Sequence, residues 1–229
     1  MKAIRAAVAL EPPFVEFDVM SSDSGIKTGH PPQESLDDLE DVLLLFEGKA
    51  TYPKVDIKLR SSEPAYPTIK KVVGLAKRFN IHFALVNISA DIAGSGAREF
   101  IMHAQNRFAE IVRGNPKLRL SIDLARYRDP RTKVDEEIRE HVRRLGNIVY
   151  SIASEIHEDD MEDVAEFAEE FAIGNITFWL RSWPDVSHPK VAEETIRRAL
   201  QLEEKYPLKV FFDINHTSVK DVRHPKRIT

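Results

Sequence analysis

The chain has 229 residues, 42% apolar and 31% charged, enough for a packed core beneath a well-solvated surface. Its 33 Lys and Arg against 37 Asp and Glu leave a formal charge of −4, which argues against a dedicated nucleic-acid or anionic-membrane binder. Cysteine is absent, so thiol catalysis, disulfides and cysteine-ligated zinc or iron–sulfur clusters are excluded. No apolar stretch approaches the roughly 18 residues of a membrane helix, and the start Lys2-Ala3-Ile4-Arg5 makes a poor signal peptide. The expectation is a cytoplasmic protein without a membrane span, of a Glu-, Lys- and Arg-rich, Gly-poor composition that suits a thermophile.

Strand-like and helix-like periods then alternate along the chain. A helix over residues 4–10 precedes a strand over 14–19 and a polar loop over 21–34. Ser35 and Asp38 form an N-cap pair for a helix carrying Leu36, Leu39, Leu43 and Phe46. A strand over 54–60 leads to the helical stripe Ile69, Val72, Val73, Ala76 and Phe79. A strand over 81–88 is followed by Ile101, Ala104, Phe108 and Ile111 at helical spacing. A strand over 118–124 leads to a helix with Val134, Ile138, Val142 and Leu145. Beyond a strand over 148–152 come a helix with Val164, Phe167, Ala168 and Phe171, and a strand over 176–181. A helix with Ile196, Ala199 and Leu200 and a strand over 208–214 complete the series.

Seven strands joined by helices imply parallel pairing through right-handed crossovers. No linker or change of composition divides them. The expected architecture is one α/β domain over 1–229 with a tail at 217–229. An open doubly wound sheet, covered by helices on both faces, would carry near-continuous apolar strands. These strands alternate instead: Glu16 and Asp18 oppose Val15 and Phe17, and Asp56 and Lys58 oppose Val55, Ile57 and Leu59. Arg119, Ser121 and Asp123 oppose Leu118, Leu120 and Ile122. Thr177, Trp179 and Arg181 oppose Ile176, Phe178 and Leu180, and Asp213 opposes Phe212 and Ile214. A TIM-type (β/α) barrel with a polar interior accounts for this best, although 229 residues is short of the roughly 250 such a barrel needs.

In a barrel, polar interior residues near the C-terminal strand ends line the active-site mouth. Glu16, Asp18, Asp56, Asn87, Asp123, Arg181 and Asp213 lie at or near such ends. Carboxylates outnumber the cations Lys58 and Arg181, and clustered anions call for a counter-charge. A hard divalent cation, Mg²⁺ or Ca²⁺, meets that need; a salt-bridged interior layer without a ligand is the alternative. The loop over 21–34 ends in Gly29-His30-Pro31-Pro32. The prolines fix the backbone after His30, either for proton transfer or simply as an exposed turn.

Glu16 and Asp18 on one strand, His30 in the following loop, and Asp56 and Lys58 on the next strand resemble the glycerophosphodiester phosphodiesterases. These belong to the phospholipase-C-like superfamily of TIM barrels. The menorin-type domain of that superfamily is the nearer match. It has a Glu-x-Asp strand, a His-Pro-Pro turn and an Asp-x-Lys strand. An Asn strand leading to Asp-Ile, a Trp strand and a final Phe-x-Asp-Ile-like strand follow. Here these are Glu16/Asp18, His30-Pro31-Pro32, Asp56/Lys58, Asn87 with Asp91-Ile92, Trp179, and Phe212-Asp213-Ile214.

The resemblance implies a metal-dependent hydrolase of a glycerophosphodiester or related phosphodiester. Glu16, Asp18 and Asp56 would hold the cation, Lys58 would stabilise phosphoryl charge and His30 would act as acid/base. Asn87, Asp123, Trp179, Arg181 and Asp213 would line the substrate site. A non-catalytic barrel binding a phosphorylated or carboxylated ligand is the alternative. The family places its other catalytic His on a first strand not seen here. A start placed later than the true one, another chain or segment that fills the gap, or an open barrel with altered chemistry would account for it, and a homo-oligomer is a possible state. His188 and His216 are the only substitutes in mouth-side loops. His103 and His141 fall on solvent-facing helix faces, His157 lies in an acidic surface run, and His82 opens a strand at the wrong end.

Weaker signals remain. Ala93-Gly94-Ser95-Gly96 before a helix is a phosphate cradle or a plain loop. Trp183-Pro184-Asp185 is a pocket lining or a packed turn. The acidic run 155–170 reads as a solvated helix face, and the basic run 220–227 as a tail.

Overall fold

The computed structural model describes residues 2–22, 25–29, 37–60, 65–79, 81, 83–90, 95–124, 136–155, 160–179 and 189–213. Helices and strands alternate as α1 (Lys2–Ala9), β1 (Phe14–Ser22), β2 (Gly25–Thr28), α2 (Leu39–Leu43), β3 (Tyr52–Leu59), α3 (Ala65–Arg78), β4 (Ala84–Ala90) and α4 (Ser95–Val112). They continue as β5 (Leu118–Asp123), α5 (Glu136–Leu145), β6 (Val149–Glu155), α6 (Met161–Glu170), β7 (Asn175–Trp179), α7 (Pro189–Leu200), α8 (Leu202–Lys205) and β8 (Lys209–Asp213). The hydrogen-bonded strand order is β2-β1-β3-β4-β5-β6-β7-β8. It forms a mostly parallel α/β sheet, with β2 antiparallel to β1. Two compact units divide within β6, Met1–Ile152 and Ala153–Thr229.

In the first unit the sequence alternation becomes two distinct strand faces. Val15 and Phe17 are buried, and Phe17 meets the ring of Phe46 behind α2 at 5.8 Å. Val55, Ile57 and Leu59 are buried on the same side of β3. The opposite face places Asp18 beside Asp56, Asp56 beside Asn87, and Asn87 beside Ser121, one row across four strands. Asp56, Asn87, Ser121 and Asp123 are buried, each between apolar neighbours that point to the other face.

At the other end of this face sit four aromatic rings. Phe14 meets Phe83 at 6.2 Å, and Phe83 meets Tyr52 at 5.6 Å and Tyr150 at 4.9 Å. The Phe14–Phe83 and Phe83–Tyr150 contacts each skip an intervening strand, which spans roughly 9–10 Å in a flat sheet. On the polar face of this unit the rings therefore lean toward one another over the strand between them.

In the second unit, α6 buries Val164, Ala165, Phe167 and Ala168 and exposes its acidic residues, as the run 155–170 predicts. β7 and β8 pair in parallel, with Ile176 opposite Val210 and Trp179 opposite Asp213. The Lys209 N–H donates to the Gly174 carbonyl at 2.9 Å, and Lys205 pairs with Glu162 at 2.6 Å.

Four sequence readings need correction. Part of the expected polar loop over 21–34 is the strand β2, folded back on β1 from Ser22↔Gly25 to Val19↔Thr28. Gly25 takes φ +131°, a conformation open to glycine, at the closing pair of that hairpin. The fourth strand starts at Ala84 because the Ile81 N–H is bonded to Ala76 of α3 and finishes the helix. Asp38 heads α2 without a side-chain cap bond; its carboxylate takes the Lys27 ammonium at 2.8 Å. Finally, His141 is fully buried rather than solvent-facing. The tail 217–229 lies outside the described residues.

Candidate functional site

Because β1 and β3 pair in parallel with Asp18 opposite Asp56, side chains two residues apart on each strand stack along one face. Glu16 and Asp18 on β1 and Asp56 on β3 thereby converge, with one carboxylate oxygen from each within 4.8 Å of the others. The Lys58 ammonium lies against both Asp18 Oδ1, at 3.2 Å, and Asp56 Oδ2. Asp56 Oδ1 accepts a further bond from the Ser89 hydroxyl at 2.9 Å. The Lys54 ammonium pairs with Glu16 Oε2 and is almost wholly buried.

Three carboxylates thus face two ammonium groups, leaving about one net negative charge in a water-poor setting. Burial by itself would lower the Lys58 pKa. Asp56 and then Asp18 outweigh it and move it above the ordinary lysine value, so Lys58 stays charged through neutral pH. The carboxylates are thus salt-bridged to Lys54 and Lys58.

The donor set also fits a hard divalent cation. Two metal–oxygen bonds of about 2.1–2.4 Å span at most about 4.8 Å between ligand atoms, the spread found for Glu16, Asp18 and Asp56. A cation bound there displaces Lys58 from at least one carboxylate. The ammonium ends a flexible stem and can turn aside.

Asn87 joins the same row through its register with Asp56, and its side-chain oxygen accepts the Ile88 N–H at 3.0 Å. Asp123 is buried at the end of β5 in the same unit. Trp179 is half-buried at the end of β7 and is the register partner of Asp213 in the second unit. The side chain of Asp213 lies outside the described residues, as do His30, Pro31, Pro32, Asp91, Ile92, Arg181, Trp183, His188 and His216. The backbone leading to His30 is placed, however. The Gly29 N–H donates to the Asp18 carbonyl at 2.8 Å, which holds the chain beside the carboxylates one residue before the imidazole.

Lys54 and Ser89 were missed as site residues. Both had a signal: Lys54 precedes Asp56 by two residues and Ser89 follows Asn87 by two, so each shares its strand's polar face. His141 was misassigned for the same kind of reason. It stands three residues after Ile138 and four before Leu145, on the buried stripe of α5. Its Nε2 meets Gln105 Oε1 of α4 at 2.7 Å.

No protein-family model matches the chain, and no curated protein is similar to it at a significant level.

Proposed function

We propose that the chain is a (β/α) barrel hydrolase of phosphodiesters, dependent on Mg²⁺ or Ca²⁺, of the menorin-like, phospholipase-C-like type. The observation that carries this reading is the convergence of Glu16, Asp18 and Asp56 with Lys58 among them. Ring contacts that reach over an intervening strand on the polar face of the first unit support a barrel over an open sheet.

Glu16, Asp18 and Asp56 would hold the cation, which supplies charge stabilisation to the phosphoryl oxygens. Lys58, released from a carboxylate, would place its ammonium on a phosphoryl oxygen as charge develops there. His30, reached through the Gly29–Asp18 tether, would pass a proton to or from the departing alkoxide. Asn87, Asp123, Trp179, Arg181 and Asp213 would position the substrate. The test is turnover of bis(p-nitrophenyl) phosphate and of glycerophosphodiesters with each cation. Turnover should vanish on chelation and in Glu16→Ala, and fall at least about a hundredfold in His30→Ala. No cation-dependent turnover across that panel would sink the hydrolase.

A second reading has its own support. Lys54 and Lys58 already neutralise most of the carboxylate charge, so the cluster is stable without a cation. On that reading the barrel binds a phosphorylated or carboxylated ligand without turning it over. Cation titration separates the two: saturable binding that Asp56→Asn removes favours the hydrolase, and none favours the binder.

A further inference from the structure

On the helix side of the first unit, away from the carboxylate face, α4 and α5 leave a groove of about 360 Å³. Its charged and hydrogen-bonding lining is His103, Asn106, Arg107, Glu110, Arg113 and Arg144. Several arginines elsewhere on the helices are matched, Arg78 with Glu40, Arg98 with Glu137, Arg143 with Glu136 and Arg197 with Glu194, although Arg5 of α1 has no ion pair among the described residues. Within the groove only Arg107 is matched, by Glu110 at 2.8 Å. Arg113 and Arg144 have no ion pair among the described residues.

Arginine in the last turn of a helix is ordinarily explained by the negative C-terminal dipole, and α4 and α5 both end here. That accounts for only part of the charge. Two helix ends contribute about one negative charge together, and Glu110 one more, against three guanidinium groups. About one positive charge is left over, carried by Arg113, just past α4, and Arg144 of α5, which line the same groove.

We infer that this groove is a binding site for a phosphate monoester on a small molecule of up to nucleotide size. Two guanidinium forks match the several oxygens and roughly two charges of a phosphate monoester better than a single carboxylate. The volume falls in the range of small-ligand sites. His103 and Asn106 offer neutral hydrogen-bonding groups for the rest of such a ligand. A protein partner is less well served, because among the described residues the exposed large apolar side chains, Leu10, Leu44, Tyr66 and Leu200, are not part of the groove lining. The site does not depend on what the carboxylate cluster does.

The test is calorimetric titration of the full chain with pyrophosphate and with adenosine 5′-monophosphate at low salt. Saturable binding is expected, weakened at least about tenfold in Arg113→Gln/Arg144→Gln and unchanged in Lys58→Met. Both arginines are exposed, so the double variant keeps its fold, which circular dichroism checks. Binding lost in Lys58→Met but kept in the arginine variant places the anion at the carboxylate cluster and overturns the inference. So does an absence of saturable binding below about 10 mM. Preference for an acidic peptide such as oligoglutamate over both phosphate probes overturns it in favour of a protein-docking surface.

Discussion

An ammonium bonded to two carboxylates, as Lys58 is to Asp18 and Asp56, takes up the charge that a divalent cation would use. Lysine and cation therefore compete. Lys58→Met is expected to tighten Mg²⁺ or Ca²⁺ binding by about tenfold or more, since a unit charge a few ångströms away is worth a few kcal/mol at an effective dielectric near 20. Calorimetric titration reads this, and unchanged or weaker cation binding in the variant would remove the competition. His141 gives the second residue-scale prediction. Burial, reinforced by nearby Arg144, pushes its pKa down to about 4 from an ordinary 6.5. Below pH 6.5 the unfolded chain gains a proton that the folded chain refuses until about pH 4. Stability from this group is thus complete above pH 6.5 and declines as the pH falls toward 4, by as much as about 3 kcal/mol. Urea midpoints at pH 7 and 4.5 should differ less in His141→Gln than in the parent chain; an equal difference would assign the acid sensitivity to other groups. The carboxylates were legible because alternation on a strand fixes which side chains share a face. Their neutralisation by Lys54 was not, because that pairing depends on the register of β1 against β3, which no local pattern contains.

Among the elements, the helices and parallel strands could be read because each buries one stripe or one face, and that constraint repeats at a fixed period. Phe108 illustrates it: predicted from the spacing Ile101, Ala104, Phe108, it is fully buried on α4. Phe108→Ala should cost about 3–5 kcal/mol of unfolding free energy, read from urea melts. A loss below about 1 kcal/mol would mean that α4 is not anchored by this stripe. β2 escaped the sequence reading because its four residues, Gly25, Ile26, Lys27 and Thr28, are too few to show a period. The hairpin is held instead by its ladder to β1 and by the Lys27–Asp38 pair. Asp38 is half exposed, so Lys27→Ala should cost less than about 1 kcal/mol, and a larger loss would reveal packing by the lysine stem.

For the molecule as a whole, an alternating strand pattern can announce a polar face without saying whether the sheet bends around it. In the first unit, rings on that face bridge non-adjacent strands. Their position matters to function as well. Phe14, Tyr52, Phe83 and Tyr150 gather near the N-terminal strand ends, while Asp18, Asp56, Lys58 and Ser89 lie farther along the same strands. The rings pack against one another at that end, which predicts that ligands reach the carboxylates from the other. Phe83 touches three of the rings, which makes it the test of that division. Phe83→Ala should remove about 2–4 kcal/mol of stability and reduce the near-ultraviolet dichroism of the tyrosines. Cation affinity at Glu16, Asp18 and Asp56 should be unaffected, because the register of β1 on β3 is fixed by six residue pairs rather than by one ring. A variant that kept its stability but lost cation binding would mean that the rings shape the charged end of the face instead of packing only at the opposite one.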